Sequence, residues 1–232
     1  VKNINTDFIE KIYLTASGGP FANLPLNKFK NINIKKALKH PSWKMGDKIS
    51  IDSATMINKV YEVIEAKNIF NISYKKIDIL LHAESYIHTF LKFRNGLIKI
   101  IAHDTTMKIP IFNTLFFNTE KKIKTNNLNL VTLNNLNLRS IDPLRYPMVK
   151  LLKLLPNNHT LYETVIVSAN DLLVELFLKK KIKFTEINLI LFKLIKEKKF
   201  LKYKKNYQHK VNDILELNKY VRLKVMEKVY KS

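Results

Sequence analysis

Residues 51–66 read IDSATMINKVYEVIEA, and no other stretch constrains the fold as tightly. Asp52, Ser53 and Thr55 bring short polar side chains suited to a helix start, and Met56, Ile57, Val60, Val63 and Ile64 follow at i, i+1, i+4, i+7 and i+8. That spacing is one apolar face of an α-helix expected from about Asp52 to about Lys67. Ser53 then stands in its first turn, where unpaired amides and the helix dipole favour an anion. Asn58 and Glu62 share a face and Lys59 lies beside them. A hydroxyl, an amide and a point charge form a phosphate-holding set. Glu62, with Glu65 one turn on, offers a hard oxygen ligand for Mg²⁺ or Mn²⁺. The same residues also suit a plain amphipathic surface helix, in which Lys59 pairs with Glu62 for about 0.2–0.5 kcal/mol.

Two loops precede this helix. KHPSWKMGDK, residues 39–48, places His40, the only tryptophan (Trp43), Met45 and Gly46 in a polar run without period. This composition suits a flap that closes on a ligand and excludes water, and equally a loop that Trp43 anchors to the core. LTASGGPF, residues 14–21, sets Ser17 before two glycines and a proline, so that backbone amides can approach an anion, or simply form a tight turn.

Beyond the helix, residues 77–82, 86–93 and 97–103 read as strands, the last two joined by an Asn95-Gly96 turn. Residues 118–143 mix Asn, Lys and Thr with short apolar pairs and read as a linker with one or two short strands. Residues 145–155, 162–180, 185–196 and 211–229 are helical in pattern, with Thr185 as an N-cap and a break at Pro156-Asn157-Asn158. The expected fold class is α+β: a catalytic domain over residues 1–117, with a mainly antiparallel sheet covered by helices, the linker, and a C-terminal helical bundle over residues 144–232.

Composition narrows the function. The chain has 232 residues, 46% of them hydrophobic, enough to bury a proper core. It has no cysteine, which excludes disulfides and Cys-ligated metal centres and fits a reducing compartment. Its four glycines, Gly18, Gly19, Gly46 and Gly96, cannot form a dinucleotide fingerprint or a P-loop. No run approaches 18 apolar residues, so no membrane span is expected, and the opening VKNINTDFIEK has no apolar core of a signal peptide. The formal charge of +22 arises mostly from lysines spread along the chain among Asn and Ile. It fits a solvated surface or a polyanion binder.

Taken together and in this order, LTASGGPF at 14–21, ALKHPSWKMGDKISIDSATMINK at 37–59 and Glu62 with Glu65-Ala66 resemble the 1-deoxy-D-xylulose 5-phosphate reductoisomerases. The likeness continues more loosely through HAESYIHT at 82–89, DTTMKIPI at 104–111, RYP at 145–147 and SAND at 168–171. The resemblance implies the catalytic and C-terminal domains of that fold, with the NADPH-binding domain lying upstream. It implies that Ser17, Ser53, Asn58 and Lys59 hold the substrate's phosphate, that His40 with Trp43 and Met45 belongs to the closing flap, and that Gly46 lies near the nicotinamide. Glu62 would be one carboxylate ligand of the divalent metal, and His40, Lys59 and Glu62 would serve catalysis. The implied reaction is a metal-assisted rearrangement followed by hydride delivery from NADPH, giving 2-C-methyl-D-erythritol 4-phosphate, with Mn²⁺, Mg²⁺ or Co²⁺ as cation.

The family's other metal carboxylates, in an Asp-Ser-Glu motif, have no counterpart here. Val60 replaces a glycine, HAES stands for His-Pro-Gln-Ser, and Asp171 stands where Glu is common. The isolated chain is therefore expected to be inactive without an upstream NADPH-binding domain. A homodimer through the hairpin at 86–103, a cytoplasmic bacterial or endosymbiont location or a plastid-type organelle, a phosphorylated sugar substrate and no membrane partner follow from the same resemblance. Nucleic acid is the alternative partner: a decayed enzyme serving as a basic RNA- or polyanion-binding module would need Tyr203 or Tyr207 exposed among lysines of 179–183 and 196–205.

Overall fold

The computed structural model describes residues 6–40, 45–116, 119–205 and 210–230. Its sheet is built from β1 (Ile9–Ala16), β2 (Ile77–Leu81), β3 (Ile87–Phe93), β4 (Ile98–Ala102) and β5 (Arg139–Ser140) in the order β4-β3-β1-β2-β5. Three pairings are antiparallel and one, β1 with β2, is parallel. A parallel neighbour requires a crossover, and residues between β1 and β2 supply it as α1 (Ile34–Ala37), α2 (Asp47–Thr55) and α3 (Ile57–Phe70). The mixed α and β, mainly antiparallel character matches expectation.

The central strand does not. The sequence reading placed no strand before residue 77, because the alternation in IEKIYLTA is broken: the β1–β3 register shifts between Ile9 and Lys11, which moves the later buried positions out of phase. The helix expected from Asp52 to Lys67 is also two helices. Met56 adopts φ 69°, in the left-handed region, and its N–H bonds to the Ser53 carbonyl, closing α2 before α3 begins. A non-glycine residue there costs about 1–2 kcal/mol, and Met56, 3% exposed, is held by its burial in the sheet core.

The linker holds more order than expected. After α4 (Lys108–Leu115), it contains α5 (Leu130–Asn134) and then β5, which pairs with β2. Residues 145–155 form a 3-10 helix, Pro147–Lys153, rather than an α-helix, with proline in its first turn. Then come α6 (Tyr162–Leu178), α7 (Phe184–Ile195), α8 (Lys198–Leu201) and α9 (Val211–Tyr230). Lys183, not Thr185, caps α7: the Glu186 carboxylate reaches back to accept the Lys183 N–H at 2.6 Å.

One buried cluster joins the two halves: Phe21, Ile51, Ala54, Ile57 and Val60 pack with residues of α6, α7 and α9. A second lies under the sheet, where Ile12, Ile77 and Leu91 meet Met56 and Val63. Helix α3 is therefore buried on two sides, and its first turn is fixed relative to both the sheet and the helical half.

Candidate functional site

Strand β1 delivers Ser17 directly after its last residue, and Gly18 and Gly19 (φ 89° and 63°) turn the chain into a short 3-10 helix. Gly19 is needed for a second reason: a Cβ there would fall 3.0 Å from the Ser53 carbonyl oxygen. The loop therefore sits against the end of α2. His40 closes the arrangement, with Nε2 at 3.3 Å from Ser17 Oγ and 3.1 Å from Ser53 Oγ. The Gly19 N–H donates to Ser17 Oγ at 3.3 Å. Burial holds the His40 imidazole below its ordinary pKa, so it is neutral above pH 6.5.

Ser53 stands in the last turn of α2, not in the first turn of a helix as the sequence suggested. The free amides belong instead to α3, whose first turn carries Asn58 and Lys59. Asn58 Nδ2 donates to Glu62 Oε1 at 3.2 Å and Lys59 Nζ to Glu62 Oε2 at 2.6 Å. Both Glu62 oxygens are thus engaged. The Lys59 side chain is 15% exposed and that of Glu62 38%, so the ammonium lies deeper than its partner.

Of the expected residues, Ser17, His40 and Ser53 form one contact group and Asn58, Lys59 and Glu62 another, at the start of α3. Met45 is half-buried, and Gly46 caps α2 in extended conformation with no atom of the described residues within 4 Å of where a Cβ would lie. Trp43 lies outside the described residues, as does Tyr207. Among the described residues no group of three His, Cys, Asp or Glu could hold a metal ion. Glu62 alone does not make a metal centre.

Sequence reasoning missed the residues that shape this site from a distance. Tyr146 Oη donates to the Gly18 carbonyl at 2.7 Å, its pKa pushed up to about 12 by burial, so it stays a donor. Arg145 Nη1 donates to the carbonyls of Phe21 at 2.8 Å and Leu24 at 2.5 Å. Asn170, within the SAND motif, donates to Asp52 Oδ1 at 2.9 Å, and Lys48 bridges Asp52 and Asp171 at 2.7 and 2.8 Å. The RYP and SAND strings were their only signal. Tyr203 packs against the core with Lys202 over its ring, and Lys199 and Lys228 pair with Glu197. No helix among the described residues is long and apolar enough to cross a membrane.

Family models for the 1-deoxy-D-xylulose 5-phosphate reductoisomerase C-terminal domain match residues 1–70, and for the DXP reductoisomerase C-terminal domain residues 104–224. The chain is 56% identical over 216 residues to the 1-deoxy-D-xylulose 5-phosphate reductoisomerase of Pelagibacter ubique, covering 93% of this chain and 56% of that one. It is 41% identical to the enzyme of Sulfurihydrogenibium sp., covering 85% of this chain and 52% of the relative. A crystal structure of DOX-P reductoisomerase with NADPH, fosmidomycin and magnesium superposes with a TM-score of 0.88 at 32% identity, over 97% of this chain and 56% of that one. The Zymomonas mobilis enzyme with NADPH gives a TM-score of 0.83 at 30% identity, over 97% of this chain and 57% of that one. The chain spans about half the length of the relatives it matches.

Proposed function

The chain belongs to the 1-deoxy-D-xylulose 5-phosphate reductoisomerase family, and on that premise we propose that it forms the substrate-phosphate half of such an enzyme. The observation that carries the reading is His40, whose Nε2 lies within hydrogen-bond distance of both Ser17 and Ser53 beside the Gly18-Gly19 turn. A phosphate entering there meets two hydroxyls, the first-turn amides of α3, Asn58 and Lys59. Asn58 and Lys59 must turn from Glu62 to reach it, which leaves the Glu62 carboxylate for a divalent cation. Anchoring the non-reacting phosphate converts binding energy into orientation at the reacting carbons.

Mg²⁺ or Mn²⁺ would polarise the substrate's adjacent oxygens and NADPH would supply hydride to yield 2-C-methyl-D-erythritol 4-phosphate. Glu62 offers only one carboxylate and the chain has no glycine-rich nucleotide loop. The remaining ligands and the nucleotide site are therefore assigned to the half of the relatives that this chain does not span. Among the described residues nothing crowds Gly46, which suits a backbone that a nicotinamide approaches closely. Trp43 is assigned to the same flap by the resemblance alone. The two relatives described are bacterial, which supports a cytoplasmic location.

We further propose a homodimer formed through β4. It is one of the sheet's two edge strands, and Ile98, Ile100 and Ile101 on it are 58%, 55% and 40% exposed, an apolar edge of the kind that pairs with another strand.

The test is an assay with 1-deoxy-D-xylulose 5-phosphate, NADPH and Mg²⁺ of the chain alone and of the chain fused behind the upstream half of the Pelagibacter relative. The chain alone should bind substrate without turning it over, and the fusion should turn over. A folded fusion that stays inactive while the intact relative works overturns the reading.

A further inference from the structure

Helix α7 packs into the core on one face only. Phe184, Ile187, Leu191, Leu194 and Ile195 are buried there. A second stripe, Thr185, Asn188, Leu189, Phe192, Lys193 and Lys196, recurs at i, i+3, i+4, i+7, i+8 and i+11, which sets these residues along one side of the helix. All six line a groove of about 490 Å³. Its remaining lining comes from Phe184 itself and from two segments far away in sequence, Leu26 with Phe29 and Leu144 with Arg145 and Pro147. The volume lies within the roughly 300–1,000 Å³ of small-molecule sites.

Three properties of this lining define an occupant. First, it is apolar along its length: Phe184 is buried, Phe29 and Phe192 are half-buried, and Leu26, Leu144 and Leu189 stand exposed around them. Exposed apolar side chains gathered in one patch mark a binding surface. Second, the charge is of one sign. Arg145, Lys193 and Lys196 line the groove, and no aspartate or glutamate does. Lys199 and Lys228, by contrast, share Glu197. Arg145 donates through Nη1 to the Phe21 and Leu24 carbonyls and lies 5.8 Å from the centre of the Phe29 ring, contacts that hold the guanidinium in place without a counter-ion. A guanidinium has five N–H groups in a planar fork that matches a carboxylate. Third, Asn188 Oδ1 is buried and has no hydrogen-bond partner among the described residues. An unmatched buried acceptor is costly. A carboxylate only accepts and cannot satisfy it, so the donor that Asn188 needs and the anion that the cations need are separate groups of the occupant.

We propose that this groove binds an amphipathic carboxylate: an apolar chain lies against Phe184, Leu189 and Phe192, an N–H or O–H group beside the chain donates to Asn188 Oδ1, and the carboxylate is held by Arg145, Lys193 and Lys196. Burial of the chain supplies the affinity, and the amide and the cations fix its direction along α7.

The experiment titrates three probes, each below its micelle concentration, into the full chain and into the chain fused behind the upstream half of the Pelagibacter relative. N-decanoylglycine carries chain, N–H and carboxylate; N-decanoylsarcosine replaces the N–H by a methyl group; N-ethyldecanamide keeps the N–H and lacks the carboxylate. By calorimetry, N-decanoylglycine should bind both proteins, about tenfold more tightly than the neutral amide and about fivefold more tightly than the sarcosine analogue. Lys193→Gln with Lys196→Gln should abolish the first preference, Asn188→Leu the second, and Leu189→Asn should weaken all three probes. Lys193, Lys196 and Leu189 are exposed, so their variants should fold as the wild type does. In the wild-type chain, backbone amide resonances that move on binding should gather in residues 184–196, 26–29 and 144–147, a readout that depends on no variant. Failure of N-decanoylglycine to bind, equal binding of the three probes, preferences that survive the variants, or resonances that move elsewhere would each overturn the inference. Binding by the chain alone that is lost in the folded fusion also overturns it, and gives the groove to the upstream half instead.

Discussion

Asn170 and Asp52, 118 residues apart in sequence, meet at 2.9 Å in the interior, with the amide donating to a carboxylate that is 2% exposed. Burial raises the Asp52 pKa and Lys48 opposes that rise, so the amide and the ammonium together keep a buried charge tolerable. Removing one partner from such a group costs about 1.5–3 kcal/mol. Asn170→Ala should lower stability by about 2 kcal/mol in urea unfolding with helical circular dichroism retained. A change within 0.5 kcal/mol, about what a surface substitution gives, would show that the pair carries no weight.

Gly19 and Gly96 both have positive φ, at 63° and 86°, but only Gly19 has a neighbour where a Cβ would go. Gly96→Ala should cost about 1 kcal/mol, the backbone term alone, and leave ligand binding unchanged. Gly19→Ala must also push the Ser53 carbonyl away, and so should cost more and weaken phosphate binding. Paired thermal melts and titrations of the two variants check this, and equal losses in both would refute the steric assignment.

Acid should unfold this protein in a window set by buried imidazoles. His40 lies below the ordinary value of 6.5 and His88 near 4, both chiefly through burial. As pH falls below 6.5 the unfolded chain takes up these protons before the folded one, so stability drops toward pH 4 and these groups contribute no slope above 6.5. The groups acting on His88 are His103, Lys59 and His82, which add to the effect. His88→Gln should flatten the plot of urea midpoint against pH over that window. An unchanged slope would mean that other groups govern acid unfolding.

The edge strand makes an equally direct prediction. Ile100→Lys places a charge on an apolar edge and should shift the chain from dimer to monomer in sedimentation or light scattering, without loss of secondary structure. Wild-type chain that sediments as a monomer at every concentration would remove the dimer proposal.

Much of this was legible in the sequence for physical reasons that can be named. The β3–β4 hairpin declared itself through Asn95-Gly96 between two apolar runs, and α6, α7 and α9 through long helical periods. The six residues Ser17, His40, Ser53, Asn58, Lys59 and Glu62 could be singled out by type, and the structure brings them into two contact groups. Met56 was opaque because a left-handed methionine has no local signature: its conformation is imposed by burial in the sheet core. That single residue moved Ser53 from the start of one helix to the end of another. Strand β1 hid behind a register shift, and Asn170 behind a distance that no window along the chain can bridge.

The contacts of Arg145 and Tyr146 with the loop at residues 18–24 carry a consequence for how the protein is made. The loop's carbonyls are held by side chains that leave the ribosome more than a hundred residues later, and Asp52 waits 118 residues for Asn170. The strands and first helices can gather as they emerge, but the loop at residues 18–24 cannot take its folded shape until the RYP segment is out. The final geometry of that loop is therefore among the last features this chain acquires during synthesis.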